Sequence, residues 1–197
     1  MRSAITIRTT IRRARNALTP LQQQNSAAQL LQKLQLHPRI LQAKKIALSL
    51  THDAEIDTLP FIHWCWNKNI KVYLPVMHPF SPKHLLFLEY KINTPLIFNR
   101  YAILEPPLNV LDICPFAQLD IVFTPLVAFD TQGRRLGMGG GFYDRMLAPW
   151  LKCKTGPYPM GLAHDCQRVD ILPENPWDVP LAEIFTSSTH YQFENNK

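Results

Sequence analysis

The segment Ile121 to Phe129 (IVFTPLVAF) carries no charge and runs directly toward Gly133 to Arg145 (GRRLGMGGGFYDR). Side chains of a strand alternate between two faces, so a strand that is apolar throughout must be covered on both. That requirement predicts an α/β fold of three layers, α/β/α, with a mostly parallel sheet and Ile121 to Phe129 as one strand near its centre. The stretch that follows holds five of the seven glycines: Gly133, Gly137, Gly139, Gly140 and Gly141. Without Cβ atoms in the way, backbone N–H groups close on an anion, and a helix starting at Phe142 adds its positive N-terminus. No dinucleotide fingerprint is present, because Phe142 stands where its last glycine belongs, and no Gly-Lys-Ser/Thr of a P-loop follows. The loop therefore reads either as an anion site of unfamiliar type or as a flexible surface turn. Arg134 and Arg135 are placed to meet phosphate oxygens, and Asp144 to hold a magnesium ion.

Helical spacing of Ile7, Ile11, Ala14 and Leu18, with Arg8, Arg12 and Arg15 one residue round, predicts an amphipathic basic helix at the start of the chain. Thr19-Pro20-Leu21-Gln22 reads as a capping box with proline at the first helical position, opening a second helix toward Leu36. Lys45 to Leu50, a helix around Leu59 to Trp66, and Lys71 to Val76 form one βαβ unit. Leu85 to Tyr90, Pro159 to Ala163 and Ala182 to Ser187 are further strands, and Phe142 to Trp150 a further helix. The prolines from Pro75 to Pro82 and from Pro106 to Pro115 mark long loops within a single domain, 1–197.

Net charge is +6, and no Asp or Glu precedes Asp53. Such asymmetry favours anionic partners without choosing among nucleic acid, an acidic membrane surface and polyanionic metabolites, and it also fits a transit peptide. The first helix lacks the aromatic residues interleaved with basic ones that single-stranded RNA binding uses. Cys65, Cys114, Cys153 and Cys166 form no C-x-x-C pair and the histidines no H-E-x-x-H, so zinc and disulfide readings are unsupported and a reducing cytoplasm is expected. His164 beside Asp165 reads as a structural hydrogen-bonded pair.

GRRLGMGGGFYDR resembles the signature of the 5-formyltetrahydrofolate cyclo-ligase family, also called 5,10-methenyltetrahydrofolate synthetases. The segments LSLTHDAEIDT, KVYLPVMHPF, LDIVFTPLVAFD, GLAHDC and WDVPL extend the likeness, in order, over nearly the whole chain. The resemblance implies a fold similar to the ribose-phosphate isomerase and CoA-transferase group. It implies conversion of 5-formyltetrahydrofolate and ATP into 5,10-methenyltetrahydrofolate, ADP and phosphate, with Mg2+ as cofactor. Its partners would be small molecules alone, with no nucleic acid and no membrane, acting on a cytoplasmic monomer.

Carried over residue by residue, the likeness assigns catalysis to Arg135 and Tyr143. ATP binding falls to Arg8, Arg135, Leu136, Gly137, Met138, Gly139, Gly140, Gly141, Phe142 and Tyr143. Folate contact falls to Glu55, Tyr101, Met138 and Phe142, with Tyr101 as an aromatic platform for the pterin, and magnesium to Asp144 and Asp178. The family opens on Lys-x-x-Leu-Arg, and here Ile7-Arg8 matches Leu-Arg while Ala4 stands at the lysine. Either Arg2 supplies that charge or ATP is held with one N-terminal charge fewer. The competing classes are a non-catalytic folate or nucleotide binder and a sugar-phosphate isomerase on the same fold.

Overall fold

The computed structural model describes residues 3–81 and 83–193. Arg2, the residue expected as one alternative to supply the missing ammonium, lies outside them. The N-terminal helix α1 (Ala4–Asn16) starts where the Ser3 hydroxyl accepts a hydrogen bond from the Thr6 amide at 3.2 Å. In α2 (Pro20–Leu34) the expected capping box forms: the Gln22 amide donates to Thr19 Oγ1 at 3.2 Å, and the Thr19 amide to Gln22 Oε1 at 2.8 Å. A short α3 (Pro38–Gln42) leads into β1 (Lys45–Ala47), α4 (Leu59–Asn67) and β2 (Lys71–Met77), which is the predicted βαβ unit, with β1 and β2 parallel.

The remaining strands are β3 (Leu85–Tyr90), β4 (Ile97–Phe98), β5 (Leu104–Glu105), β6 (Ile113–Cys114), β7 (Ile121–Thr124), β8 (Ala128–Phe129), β9 (Arg135–Leu136), β10 (Tyr158–Leu162), β11 (Glu183–Phe185) and β12 (His190–Gln192). The helix α5 (Phe142–Cys153) lies between β9 and β10. Eight strands form the main sheet in the order β12-β11-β10-β7-β1-β2-β3-β6. From β11 to β2 every neighbouring pair is parallel, and antiparallel strands close both edges.

Alternation along the strands builds the two cores. Ile46, Val72, Leu74, Ile121 and Phe123 pack with Leu30, Leu34, Phe61 and Ile62 of α2 and α4. The intervening Ala47, Tyr73 and Val122 pack on the other face with Leu147 and Trp150 of α5. Helices therefore cover both faces, as the uncharged central strand required.

That strand is not continuous. β7 stops at Thr124, and the chain turns at Pro125, which has no N–H to give a ladder, before β8 pairs antiparallel with β9. Every residue from Ile121 to Phe129 except Pro125 is still buried, which is why hydrophobicity alone does not reveal the break. The β8–β9 hairpin lifts the glycine loop over the ends of the parallel strands. Pro75, which opens the proline stretch expected as a loop but also falls within the strand expected at Lys71 to Val76, lies inside β2 beyond Tyr73, where the register with β1 has ended.

Candidate active site

Chain order changes direction between β1 and β7. From β1 the chain steps through α4 to β2 on one side, and from β7 through α5 to β10 on the other. In open parallel sheets the crevice at the carboxyl ends of such strands is where ligands bind. Three segments meet there: Ser49 to Glu55 after β1, the glycine loop after β8 and β9, and His164 after β10.

The loop ends on Gly141, which precedes α5 in the left-handed conformation at φ 63°, while Gly139 has φ 99°. Only glycine takes these angles without strain, and the resulting turn aims the unbonded first N–H groups of α5 at the loop. Gly133, also at positive φ (78°), serves packing as well, since a Cβ there would lie 2.7 Å from the Leu181 carbonyl oxygen.

Two guanidiniums frame the loop. Arg8 Nε of α1 donates to the Gly137 carbonyl at 2.8 Å, and its Nη2 would lie 3.6 Å from a Cβ at Gly139. Arg135 Nη2 donates to Asp144 Oδ1 at 2.7 Å, and its side chain is 4% exposed. Arg135 Nε is buried with no hydrogen-bond partner, as is the Tyr143 hydroxyl. Such groups cost on the order of 1 to 3 kcal/mol each unless a ligand satisfies them. Burial pushes the Tyr143 hydroxyl up to about 12, with Ser49 and Arg135 nearby working against it, so the residue stays a neutral donor.

Arg134, expected at phosphate, is committed elsewhere: it donates to the fully buried Asp130 at 2.7 Å and to Glu174 at 3.1 Å. Asp130 also accepts the amides of Gln132, Arg134 and Leu172, so this ion pair pins the hairpin. Leu136 forms the hairpin strand, Met138 is exposed at the loop tip, and the Phe142 ring packs over Gly140.

Asp144 Oδ1 accepts from Arg135 and, at 3.3 Å, from the Val179 amide, while among the described residues Oδ2 has no hydrogen bond. One oxygen is thus fixed and the other remains for a hard cation. Asp178 is brought close by the Val179 contact, but its Oδ2 accepts the Asn175 amide at 2.9 Å and the Asn175 side chain at 3.1 Å. Its carboxylate closes a local turn.

Glu55 sits in a network that the sequence did not expose. Arg15, fully buried, places Nη2 at 2.6 Å from Asp53 and Nη1 at 3.7 Å from Glu55. Arg12 reaches the same Asp53 oxygen at 2.6 Å. Burial pushes the Glu55 carboxyl up to about 7, the charge of Arg15 opposing it. The expected His164–Asp165 pair does not form. Asp165 is taken by the hydroxyls of Ser187 and Ser188 at 2.7 and 2.6 Å, and both ring nitrogens of His164 are buried without a partner beside the Glu55 backbone. Burial, helped by Arg15, holds this imidazole below its ordinary value, hence neutral.

Tyr101 is 54% exposed on the connection between β4 and β5, where Arg100 lies over its ring at 4.9 Å. Among the described residues no side-chain hydrogen bond joins it to Glu55 or the glycine loop. Its neighbour Arg100, with Met77, His78, Phe80, Asn99 and Glu105, lines a cavity of about 330 Å³ at the carboxyl end of β2. Arg145, which donates to the carbonyls of Gly140 at 2.8 Å and Lys83 at 3.1 Å, ties that region to the glycine loop.

The arrangement defines a class: an α/β protein with a glycine-rich loop opening a helix at the switch point of its sheet and a largely buried carboxyl group, Glu55, after a neighbouring strand. Comparison with known proteins narrows it. Residues 1–187 match the 5-formyltetrahydrofolate cyclo-ligase family. The chain is 48% identical over 183 residues to the 5-formyltetrahydrofolate cyclo-ligase of Escherichia coli, covering 93% of this chain and 100% of that one. It is 49% identical over 178 residues to that of Haemophilus influenzae, covering 90% and 94%. The 5,10-methenyltetrahydrofolate synthetase of Aquifex aeolicus shares the fold with a TM-score of 0.82 at 23% identity, covering 98% of this chain and 94% of that one. This chain belongs to the 5-formyltetrahydrofolate cyclo-ligase family.

Proposed function

We propose that this protein converts 5-formyltetrahydrofolate to 5,10-methenyltetrahydrofolate at the expense of ATP. The observation that carries the reading is the pair Arg8 and Arg135 framing the glycine loop, with Arg135 Nε and the Tyr143 hydroxyl buried and lacking partners. These are donors waiting for acceptors, and the oxygens of a triphosphate supply them.

In the reaction the formyl oxygen attacks the γ-phosphorus and ADP leaves. N10 then bonds to the activated formyl carbon, loses its proton, and phosphate departs. An amide-like oxygen is a poor leaving group, so its phosphorylation turns the difficult step into loss of a stable anion. The protein supplies position and charge. Arg135 offsets charge on the transferring phosphoryl group, the amides of Gly137 to Tyr143 hold the neighbouring phosphates, and Tyr143 donates as a neutral hydroxyl.

The donor set fits magnesium at Asp144, whose Oδ2 is open and whose orientation is fixed by Arg135 and Val179. Bound there, the ion would neutralise phosphate charge. Asp178 would serve it only through water or after releasing Asn175. Glu55, once ionised, accepts hydrogen bonds from pterin N–H groups, and Met138 and Phe142 border the same crevice. Tyr101 would stack on the folate if the connection between β4 and β5 folds inward. We further place the protein in the cytoplasm as a monomer; among the described residues no helix is long and apolar enough to cross a membrane.

The test is Arg135→Ala. It should lower kcat for ATP-dependent methenyl formation by about 100-fold or more while leaving the circular dichroism spectrum intact. Undiminished turnover would remove Arg135 from the chemistry.

A further inference from the structure

A second cavity, of about 680 Å³, lies against β11 and β12, away from the glycine loop. Glu183 opens β11 as Tyr158 opens β10, so this site is at the amino ends of the parallel strands, whereas the catalytic groups gather at their carboxyl ends. His37 Nε2 lies 2.9 Å and His190 Nε2 2.5 Å from the same oxygen, Glu183 Oε2. The three donor atoms all fall within 4.8 Å of one another.

The geometry points to a His–Glu–His site for a divalent first-row transition metal, with Zn2+ as the ion of choice. Two imidazole nitrogens and a carboxylate, with a fourth position open to the cavity, form a donor set that zinc takes in tetrahedral sites. Ligand bonds of about 2.0 to 2.2 Å place tetrahedral donors roughly 3.3 to 3.6 Å apart, so each nitrogen would move back from Glu183 Oε2 by about 1 Å or less. Magnesium, which prefers oxygen alone, would not compete.

The site is built rather than incidental. Tyr158 donates its hydroxyl to Glu183 Oε1 at 2.8 Å, which turns Oε2 toward the histidines. Phe185 stacks on the His190 ring at 4.0 Å between centroids and 10° between planes, and stands edge-on to His37 at 5.4 Å. His37 is 10% and Glu183 7% exposed. Arg39 lies over the Tyr158 ring at 3.9 Å, and the structure records no ion pair between it and Glu183 among the described residues. Pairing of Phe185 with His190 makes His190 the diagonal neighbour of Glu183 on one face, while His37 comes from the junction of α2 and α3. His37 is far in sequence from Glu183 and His190, which leaves no spacing motif, and this is why the histidines looked unrelated to zinc. A bound ion would clamp the junction of α2 and α3 to the strand pair β11–β12.

The experiment is titration of chelator-treated, full-length protein with Zn2+ against a chromophoric competitor, and with Co2+ under visible spectroscopy. We expect one equivalent per chain, the d–d bands of a four-coordinate cobalt site, and a raised melting temperature with Zn2+. His190→Asn, on a half-buried edge strand, should weaken binding on the order of 100-fold and erase the cobalt bands while methenyl formation is unchanged. His37→Asn should do the same. No saturable binding, or binding of equal strength in both variants, would overturn the site and leave two hydrogen bonds to one carboxylate.

Discussion

At the scale of single residues, Glu55 shows how position outweighs type. Asp53 and Glu55 are two residues apart, yet the Arg12 hydrogen bond holds the Asp53 carboxyl below its ordinary value while burial drives Glu55 up to about 7. If ionised Glu55 receives the pterin, affinity is full above that value and declines as pH falls through it. The KM for 5-formyltetrahydrofolate should therefore rise on acidification from pH 8 to 6, and Glu55→Gln should have a uniformly higher and nearly flat KM. A wild-type KM that does not change across this interval would detach Glu55 from the ligand. Ala4 belongs to the same scale: it precedes Arg8 by one helical turn, and Ala4→Lys should lower the KM for ATP by placing an ammonium beside the guanidinium already on the loop.

At the scale of elements, α1 joins the two halves of the site. Arg8, Arg12 and Arg15 recur at one face, the first on the glycine loop and the other two on Asp53. The basic stripe that suggested nucleic acid or an acidic surface is spent largely on intramolecular contacts. Periodicity gave the stripe and Ile7 and Ile11 gave its packing, but nothing local to α1 says that Asp53 lies against it. Arg15→Met should cost on the order of 3 kcal/mol in urea unfolding, because it strands carboxylates that the buried guanidinium now balances. A loss within experimental error of zero would show that Arg12 alone suffices.

Other elements mark the same boundary between what spacing reveals and what contacts decide. The capping box of α2 was legible because it is made within four residues. The break at Pro125, the strand β12 and the desertion of Arg134 to Asp130 were not: their partners are near in sequence, but an unbroken apolar run hides the turn, three residues are too few to show alternation, and only the fold buries Asp130. His164 and Arg15 were missed for the same reason. Their signal is burial, His164 without a hydrogen-bond partner and Arg15 against Asp53, which exists only in the folded molecule.

At the scale of the whole molecule, opposite titrations bear on stability. Asp53 is held below its ordinary value by Arg12, and Asp165, despite burial, by the hydroxyls of Ser188, Thr186 and Ser187. Their stabilisation is complete above about pH 5 and is lost as pH falls below about 4 through their folded values. Glu55 runs the other way. Its raised carboxyl makes the folded state hold a proton the unfolded chain releases, so stability drains as pH rises from 4.5 to about 7. Glu55→Gln should match the wild type at pH 5 and exceed it at pH 8 in urea midpoint, and the reverse order would refute this assignment.

The central claim is that the loop framed by Arg8 and Arg135 drives a folate cyclisation with ATP. Purified protein given 5-formyltetrahydrofolate, ATP and magnesium should produce the methenyl absorbance and ADP in equal amounts, with neither formed when ATP is omitted. If neither appears under conditions where the Escherichia coli relative is active, or if methenyl product forms without ATP, the claim is wrong.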